Sequence, residues 1–400
     1  MRRVRRLRER PDAVEDARAS LLGLVGRVEE RARGADVGSA ALRTLRTALP
    51  FRQKFRLDLL LFEWTKGRAV PLSVLDRLRM LRHGFLSSSY YLYGFGERRN
   101  YADYVSEYQK MAYTAHINGA RRRLLDDKFA FHEALSSRGF GDRLPALFGA
   151  LGGERTSVDD LGAADVLELL DRGEKLVLKS ATGAGGAGVY VCDSTDGGYV
   201  VNGVDVSAST VRSLVDSLEG YLVTAYCEQA AYAAGIYPHA ANTVRVLTMH
   251  PGDGAFVAAA VHRFGTVASG GVDNWSRGGI AGEVDRETGA IAPATRYPVD
   301  GEVRRFESHP DTGARIAGRR VPGWDRIRDG ILELADAFPD VPYVGWDLLV
   351  TAPGEFVVLE GNNQPDVDLI QVNGPLLADE RVVDFYDRFV DDERWPPARS

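Results

Sequence analysis

The segment Tyr343–Pro365 constrains this chain more than any other, because it places two acids where a fold should not tolerate them. Two apolar runs, Val344–Thr351 and Phe356–Leu359, flank the turn Ala352-Pro353-Gly354-Glu355. Proline and glycine at such a point mark a tight turn, so the two runs read as an antiparallel hairpin. Counting back from a turn centred between Pro353 and Gly354 sets Asp347 directly opposite Glu360. Opposed positions hold their Cβ atoms about 4.5–5.5 Å apart, and like charges there cost roughly 0.2–1 kcal/mol even when exposed. The neighbours Val344, Leu348, Leu349, Val357 and Val358 imply burial, which raises that cost. Three arrangements relieve it: one acid is protonated, an Arg or Lys is inserted, or a divalent cation sits between them. Asn362 falls on the same strand face as Glu360, and three oxygen-bearing groups at one spot suit Mg²⁺. The arrangements differ in prediction. With a metal, Asp347→Asn relieves repulsion and leaves the metal-free fold intact; with an arginine bridge, it strands a guanidinium and destabilises the fold.

The second informative segment is Lys179-Ser180-Ala181-Thr182 followed by Gly183, Gly185, Gly186 and Gly188. Gly183, Gly185 and Gly188 satisfy GxGxxG, a weak signal alone. A dinucleotide fingerprint needs strand, loop, then helix. Here the loop leads into Val189-Tyr190-Val191-Cys192, a second strand, which argues against NAD. No Gly-Lys-Ser/Thr ends the loop, which excludes a Walker A motif. A glycine-rich hairpin tip still lets backbone N–H groups approach an anion closely. Lys179 stands at its entrance, in a chain with only six lysines against 44 arginines.

Around these segments the chain reads as helical first and mixed afterwards. Leu57, Leu60, Leu61 and Trp64, then Val74, Leu75, Leu78 and Leu81, recur at helical spacing, with Gly67 and Pro71 dividing two helices. Residues 87–112 hold six tyrosines, whose commoner use is packing between helices rather than stacking on sugars. Asp126-Asp127-Lys128 opens a helix ending near Arg138-Gly139. Further strands are expected at Lys175–Lys179, Tyr221–Tyr226, Val244–Met249 and Phe256–Arg263, and a last helix at about Asp379–Val390. The class is α+β. Residues 1–56 carry +8, leaving −14 for the remainder. This basic arm reads as a solvated helical face, and no nucleic-acid module follows it. No apolar stretch approaches the roughly 20 residues that span a bilayer, and Met1 precedes an Arg-rich segment instead of a secretory signal. Cys192 and Cys227 form no metal-type pair, and a reduced, cytoplasmic setting is expected.

Taken in order, Asp127-Lys128-Phe129, Lys179 with its glycine loop, Asn242-Thr243-Val244-Arg245, Val272-Asp273-Asn274-Trp275 with Gly278-Gly279-Ile280, Gly345-Trp346-Asp347 and Glu360-Gly361-Asn362 resemble the ATP-grasp superfamily. More closely, they resemble its alpha-L-glutamate ligase-related, sugar-transfer-associated branch, over roughly residues 55–385. The resemblance implies an ATP-grasp fold of two α+β subdomains gripping the nucleotide. The division it suggests is a helical region 1–110, lid subdomains 111–235 and a magnesium-bearing subdomain 236–400. It implies ATP and Mg²⁺ as cofactors. Lys128 and Lys179 would hold the phosphates, and Gly183, Gly185, Gly186 and Gly188 would close over them. Arg245 would face the γ-phosphate, and Asp347, Glu360 and Asn362 would bind the metal. Tyr221–Gln229, including Val223, Thr224, Ala225, Tyr226 and Glu228, would lie along the adenine. The family commonly has an acid early in that segment, where Thr224 stands here, so the ribose partner is open. Arg263 and Asp273-Asn274 look like substrate-side or supporting residues.

The implied activity is an ATP-dependent ligase that activates a carboxylate as an acyl phosphate for attack by an amine or a hydroxyl, in polysaccharide or natural-product modification. A kinase acting on a sugar or small molecule would use the same ATP site. A non-catalytic nucleotide-binding protein is the third reading, against which the two lysines and the acid pair count.

Overall fold

The computed structural model describes residue 49 and residues 51–65, 67–152, 158–182, 188–298 and 301–390. The glycines Gly183, Gly185 and Gly186 and the Arg-rich first dozen residues lie outside the described residues. The chain divides into two units at residue 58. Of the first unit, the opening of helix α1 (Phe51–Thr65) is described. The second unit, from Leu59 onward, holds both sheets.

A helical segment opens this second unit with α2 (Val74–Arg82), α3 (Ser87–Leu92) and α4 (Glu107–Ala112). Ser73 caps α2 by accepting from Asp76 N, and Ser106 caps α4 within a reciprocal capping box with Gln109. The tyrosines pack as expected: Tyr93 and Tyr104 are buried and stacked at 4.3 Å, with Phe85 and Phe95 set edge-on around them. One expectation fails. The apolar positions of α2 do not form its inner face, since Val74, Leu75 and Leu78 are exposed and Met80 alone is buried. At 3.6 residues per turn Met80 lies on a different face from Val74, Leu75 and Leu78, and it is the Met80 face that packs inward.

Two seven-stranded sheets follow. The first contains β1 (Leu147–Leu151), β2 (Asp160–Leu161), β3 (Leu176–Ser180), β4 (Val189–Thr195), β5 (Gly198–Val201), β6 (Val204–Val206) and β7 (Tyr221–Ala225), in the order β2-β1-β7-β3-β4-β5-β6. Helices α6 (Ala163–Asp171) and α7 (Ala208–Asp216) bury Val166, Leu170, Val211 and Val215 against one face of it. Between the helical segment and this sheet lies α5 (Lys128–Ser137).

The second sheet contains β8 (Val244–Met249), β9 (Phe256–Phe264), β10 (Ile280–Glu283), β11 (Ala294–Arg296), β12 (Arg305–Phe306), β13 (Tyr343–Ala352) and β14 (Glu355–Asn362), ordered β12-β11-β10-β9-β8-β13-β14. Its pairs are antiparallel. On one face Val244, Val246, Val344, Trp346, Leu348 and Val358 meet α8 (Trp324–Asp336) in the largest core. On the other, Leu247, Met249 and Tyr343 pack on α9 (Glu380–Phe389), whose N-terminus Asp379 caps. Two buried amides lock earlier segments to this sheet. Asn118 donates to Tyr343 O at 2.7 Å and accepts from Tyr343 N at 3.1 Å. Gln371 accepts from Val105 N at 2.8 Å and donates to Val105 O at 3.0 Å. Among the described residues no helix is long and apolar enough to cross a membrane.

Candidate active site

The β13–β14 hairpin delivers the acid pair by a route that straight counting hides. Ala352 faces Glu355 across the two-residue turn Pro353-Gly354, where Gly354 takes φ +79°, a conformation that favours glycine. The register then slips by one residue, so Val350, Leu349 and Leu348 face Phe356, Val357 and Val358. It slips back at Leu359, and Asp347, Trp346 and Gly345 face Glu360, Gly361 and Asn362. Two opposite irregularities cancel, which is why the simple count is correct at Asp347. The second one matters chemically. Phe356 and Val358 point into the core, and strict alternation would send Glu360 after them. The extra residue Leu359 turns Glu360 and Asn362 onto the opposite face. It also leaves the Leu359 carbonyl to accept from Lys179 Nζ at 3.4 Å.

Pairing of β8 with β13 extends the rung. Arg245 faces Asp347, so Arg245, Asp347 and Glu360 form one row across three strands. Arg245 Nη2 donates to Asp347 Oδ2 at 2.9 Å, and its Nε donates to Oδ1. Arg263 on β9 adds a contact from Nη2 to Asp347 Oδ2 at 2.9 Å. Gly345 makes room for this, because a Cβ there would stand 2.7 Å from Pro365 Cβ and 3.4 Å from Arg245 Cδ. Arg263 is itself held from behind. Its Nε lies 3.3 Å from Asp273 Oδ2 and donates to Thr243 Oγ1 at 2.9 Å, while Asp273 accepts from Thr243 N at 3.1 Å. Asn242, buried, is a clamp: it donates to Tyr237 O at 2.6 Å and accepts from Gly265 N at 3.0 Å.

The electrostatics follow. Burial pushes the Asp347 carboxyl up, but Arg245 and Arg263 more than offset it and hold it well below the usual carboxylate range. Glu360 goes the other way, raised by burial and by Asp347, with Lys128 and Arg245 opposing. The two carboxyls stand directly opposite each other across the strand pair, and each acts on the other's ionisation.

The lysines reach this row from α5 and from β3 of the other sheet. Asp127 caps α5 by accepting from Phe129 N at 2.9 Å and Ala130 N at 3.3 Å. Lys128 N donates to Ala181 O at 3.1 Å, fastening the helix start to the end of β3. Lys128 Nζ then lies 3.7 Å from Glu360 Oε2. Burial draws the Lys179 ammonium down to about 8; Glu360 opposes the drop and Lys128 adds to it.

Three expected placements change. Arg245 commits Nε and Nη2 to Asp347 and is 6% exposed, so it orients that carboxylate rather than presenting a whole guanidinium to a phosphate. Val223 and Thr224, whose backbone the resemblance sets along the adenine edge, lie inside β7, which pairs with β1 on one side and β3 on the other, so both strand edges there are taken up by the sheet. Ala225 N and Tyr226 N donate to Ala146 O and Lys175 O, both at 2.8 Å, which leaves Cys227–Gln229 as the open backbone after the strand. Glu228 is exposed, 3.7 Å from Lys175. Gly188 takes φ +70° and keeps a Cβ off the Tyr221 hydroxyl, 2.7 Å away.

Sequence reasoning missed Lys110 and Asp366. Lys110 Nζ, from α4, meets Asp366 Oδ1 at 2.5 Å, and the charges of Arg245 and Arg263 reach Asp366. Burial and Asp366 lift Asp368 to about 6, and burial lifts Glu107 to about 7. The signal was the run of polar residues from Asn362 to Asp368 directly behind the acid strand.

One lysine at a helix start and one on a first sheet, both directed at an Arg–Asp–Glu row of a second sheet, mark the class as ATP-grasp. More narrowly, the model of the sugar-transfer associated ATP-grasp family matches residues 108–384, and the chain belongs to that family. No curated protein matches it. Among solved structures it is similar to the ATP-grasp ligase PsnB complexed with minimal precursor (14% identity, TM-score 0.36, covering 67% of this chain and 63% of that one). It is also similar to the N5-carboxyaminoimidazole ribonucleotide synthetase of Thermotoga maritima (15%, TM-score 0.31, 61% and 43%). D-alanine–D-alanine ligase of Bacillus anthracis is a third (14%, TM-score 0.35, 66% and 68%). The chain thus spans less than two thirds of the first two proteins.

Proposed function

We propose that this protein is an ATP- and Mg²⁺-dependent ligase that activates a small-molecule carboxylate as an acyl phosphate for attack by an amine or a sugar hydroxyl. The observation that carries this reading is the meeting of Lys128 with Glu360 and of Lys179 with the adjoining Leu359 carbonyl, beside an Asp347 fixed by two arginines. Cations from α5 and β3 face acids of the second sheet, the charge pattern that a metal-bound polyphosphate requires.

The donor set fits Mg²⁺. Two opposed carboxyls hold one proton between them or one cation. Asp347 takes three N–H contacts, which leaves about one of its roughly four acceptor positions. Asn362 donates through Nδ2 to Gly345 O at 3.2 Å, which keeps its amide oxygen for a metal. Glu360, Asn362 and the remaining lone pair of Asp347 would hold the ion. When bound, magnesium supplies charge neutralisation at the phosphates.

Lys128 and Lys179 hold the phosphates, with Gly183, Gly185, Gly186 and Gly188 closing over them. Tyr226–Gln229 follow the adenine. Arg263 supports Asp347. An oxygen of the substrate carboxylate attacks the γ-phosphorus and ADP leaves. The amine nitrogen or hydroxyl oxygen then attacks the acyl carbon, loses its proton, and phosphate leaves. No side-chain nucleophile is needed. The partners are small molecules, with no role for nucleic acid, and the setting is cytoplasmic. The test is isotopic: a carboxylate labelled with heavy oxygen must pass one labelled oxygen to the released phosphate. Unlabelled phosphate accompanying product formation would overturn the acyl-phosphate step.

A further inference from the structure

The outward apolar positions of α2 border a depression of about 410 Å³ that the ATP site does not use. Leu75 and Leu78, 74% and 39% exposed, are its apolar lining. Arg79 and Arg82 of the same helix and Arg99 are its basic lining, and His83 stacked on Tyr101 at 4.2 Å completes it. Arg79 is paired with Asp76 at 2.5 Å. Among the described residues neither Arg82 nor Arg99 has a carboxylate within ion-pair distance. Burial, and after it the charges of Arg82 and Arg79, lower the pKa of His83. Val74, 68% exposed, adds to the apolar edge.

A ligand that satisfies both sides carries negative charge and an apolar body on the same molecule. Guanidinium groups match phosphate oxygens in pairs. Exposed branched side chains beside arginines on one helix are the pattern of a surface that lies in a bilayer interface. Basic residues there gain affinity from anionic headgroups. We propose that this depression docks the phosphate headgroup of an anionic lipid, with Val74, Leu75 and Leu78 entering the bilayer surface. The site is independent of the nucleotide reading.

Co-sedimentation with phosphatidylcholine vesicles, with and without phosphatidic acid, tests it on the full chain. Binding should require phosphatidic acid. It should weaken roughly tenfold or more in Arg82→Ala/Arg99→Ala and in Leu75→Ser/Leu78→Ser. Lys179→Ala should bind vesicles like the wild type. All these positions except Lys179 are exposed, so retained thermal stability in the double variants separates lost binding from lost folding. Binding unchanged in both double variants, or equal on vesicles without phosphatidic acid, would overturn the proposal. Inorganic phosphate raising the His83 titration midpoint, with no vesicle binding, would also overturn the lipid assignment and leave a soluble phosphate ester as the occupant.

Discussion

Replacing Asp347 with Asn is the most informative perturbation, because repulsion and bridging predict opposite signs. Repulsion between Asp347 and Glu360 alone says that the metal-free fold gains roughly 0.2–1 kcal/mol. The structure changes that sum. Asp347 is 3% exposed, accepts from Arg245 through two nitrogens and lies in an ion pair with Arg263 at 2.9 Å. Removing its charge strands the buried Arg245 guanidinium, while Arg263 keeps Asp273, and breaking a buried pair costs about 3–5 kcal/mol. Relief of repulsion offsets at most about 1 kcal/mol of this. The net expectation is a loss of about 3 kcal/mol, or roughly 4 °C in Tm at about 2.1 cal/mol/K per residue over the unit Leu59–Ser400. Differential scanning calorimetry without nucleotide or metal reads it directly. An unchanged or raised Tm would refute the bridging argument. The same samples with Mg-ATP test the metal. At 100 times Kd the wild type gains about 2.7 kcal/mol. The variant should gain far less, and a full ligand response in Asp347→Asn would remove Asp347 from the metal set.

Further outcomes follow from the same geometry. Lys179, drawn down to about 8 by burial, holds phosphate only when protonated, so ATP affinity measured by calorimetry should weaken as pH rises through 8, and Lys179→Arg should abolish that dependence. Glu107, raised to about 7, binds its proton more tightly folded than unfolded; its contribution is present below about 4.5 and lost as pH rises through 7, so Glu107→Gln should flatten the Tm–pH profile across that window. Gly345→Ala sets a Cβ 2.7 Å from Pro365 and should destabilise by about 1–3 kcal/mol while displacing Arg245, read as a lower Tm together with lost turnover.

What was legible in the sequence was local. A turn, two apolar runs and parity place Asp347 against Glu360 and Asn362 on the same face, and the structure has all three there. The two register slips on either side of Leu348–Val350 are invisible to counting because they cancel. Strand positions from β7 to β9 and the termini of α5 and α9 also follow from local pattern and capping residues. What was not legible is long-range. The contact of Arg245 with Asp347 spans 102 residues, and that of Lys110 with Asp366 spans 256; no spacing rule announces either. The short strands β5, β6, β11 and β12 carry too few residues for a period to show. The exposure of Leu75 and Leu78 reverses a correct helical period, because periodicity shows that a face is apolar and does not show what covers it.

The proposed ligase joins a carboxylate to an acceptor with cleavage of ATP. Mass spectrometry of pooled acids, amines and sugars incubated with the purified protein and Mg-ATP reads this reaction directly. The expected product has the mass of the acid plus the acceptor less one water, forms with equal amounts of ADP and phosphate, and is absent in Lys128→Ala and Lys179→Ala. A product bearing a phosphoryl group, with no free phosphate released, would contradict it and make the protein a kinase.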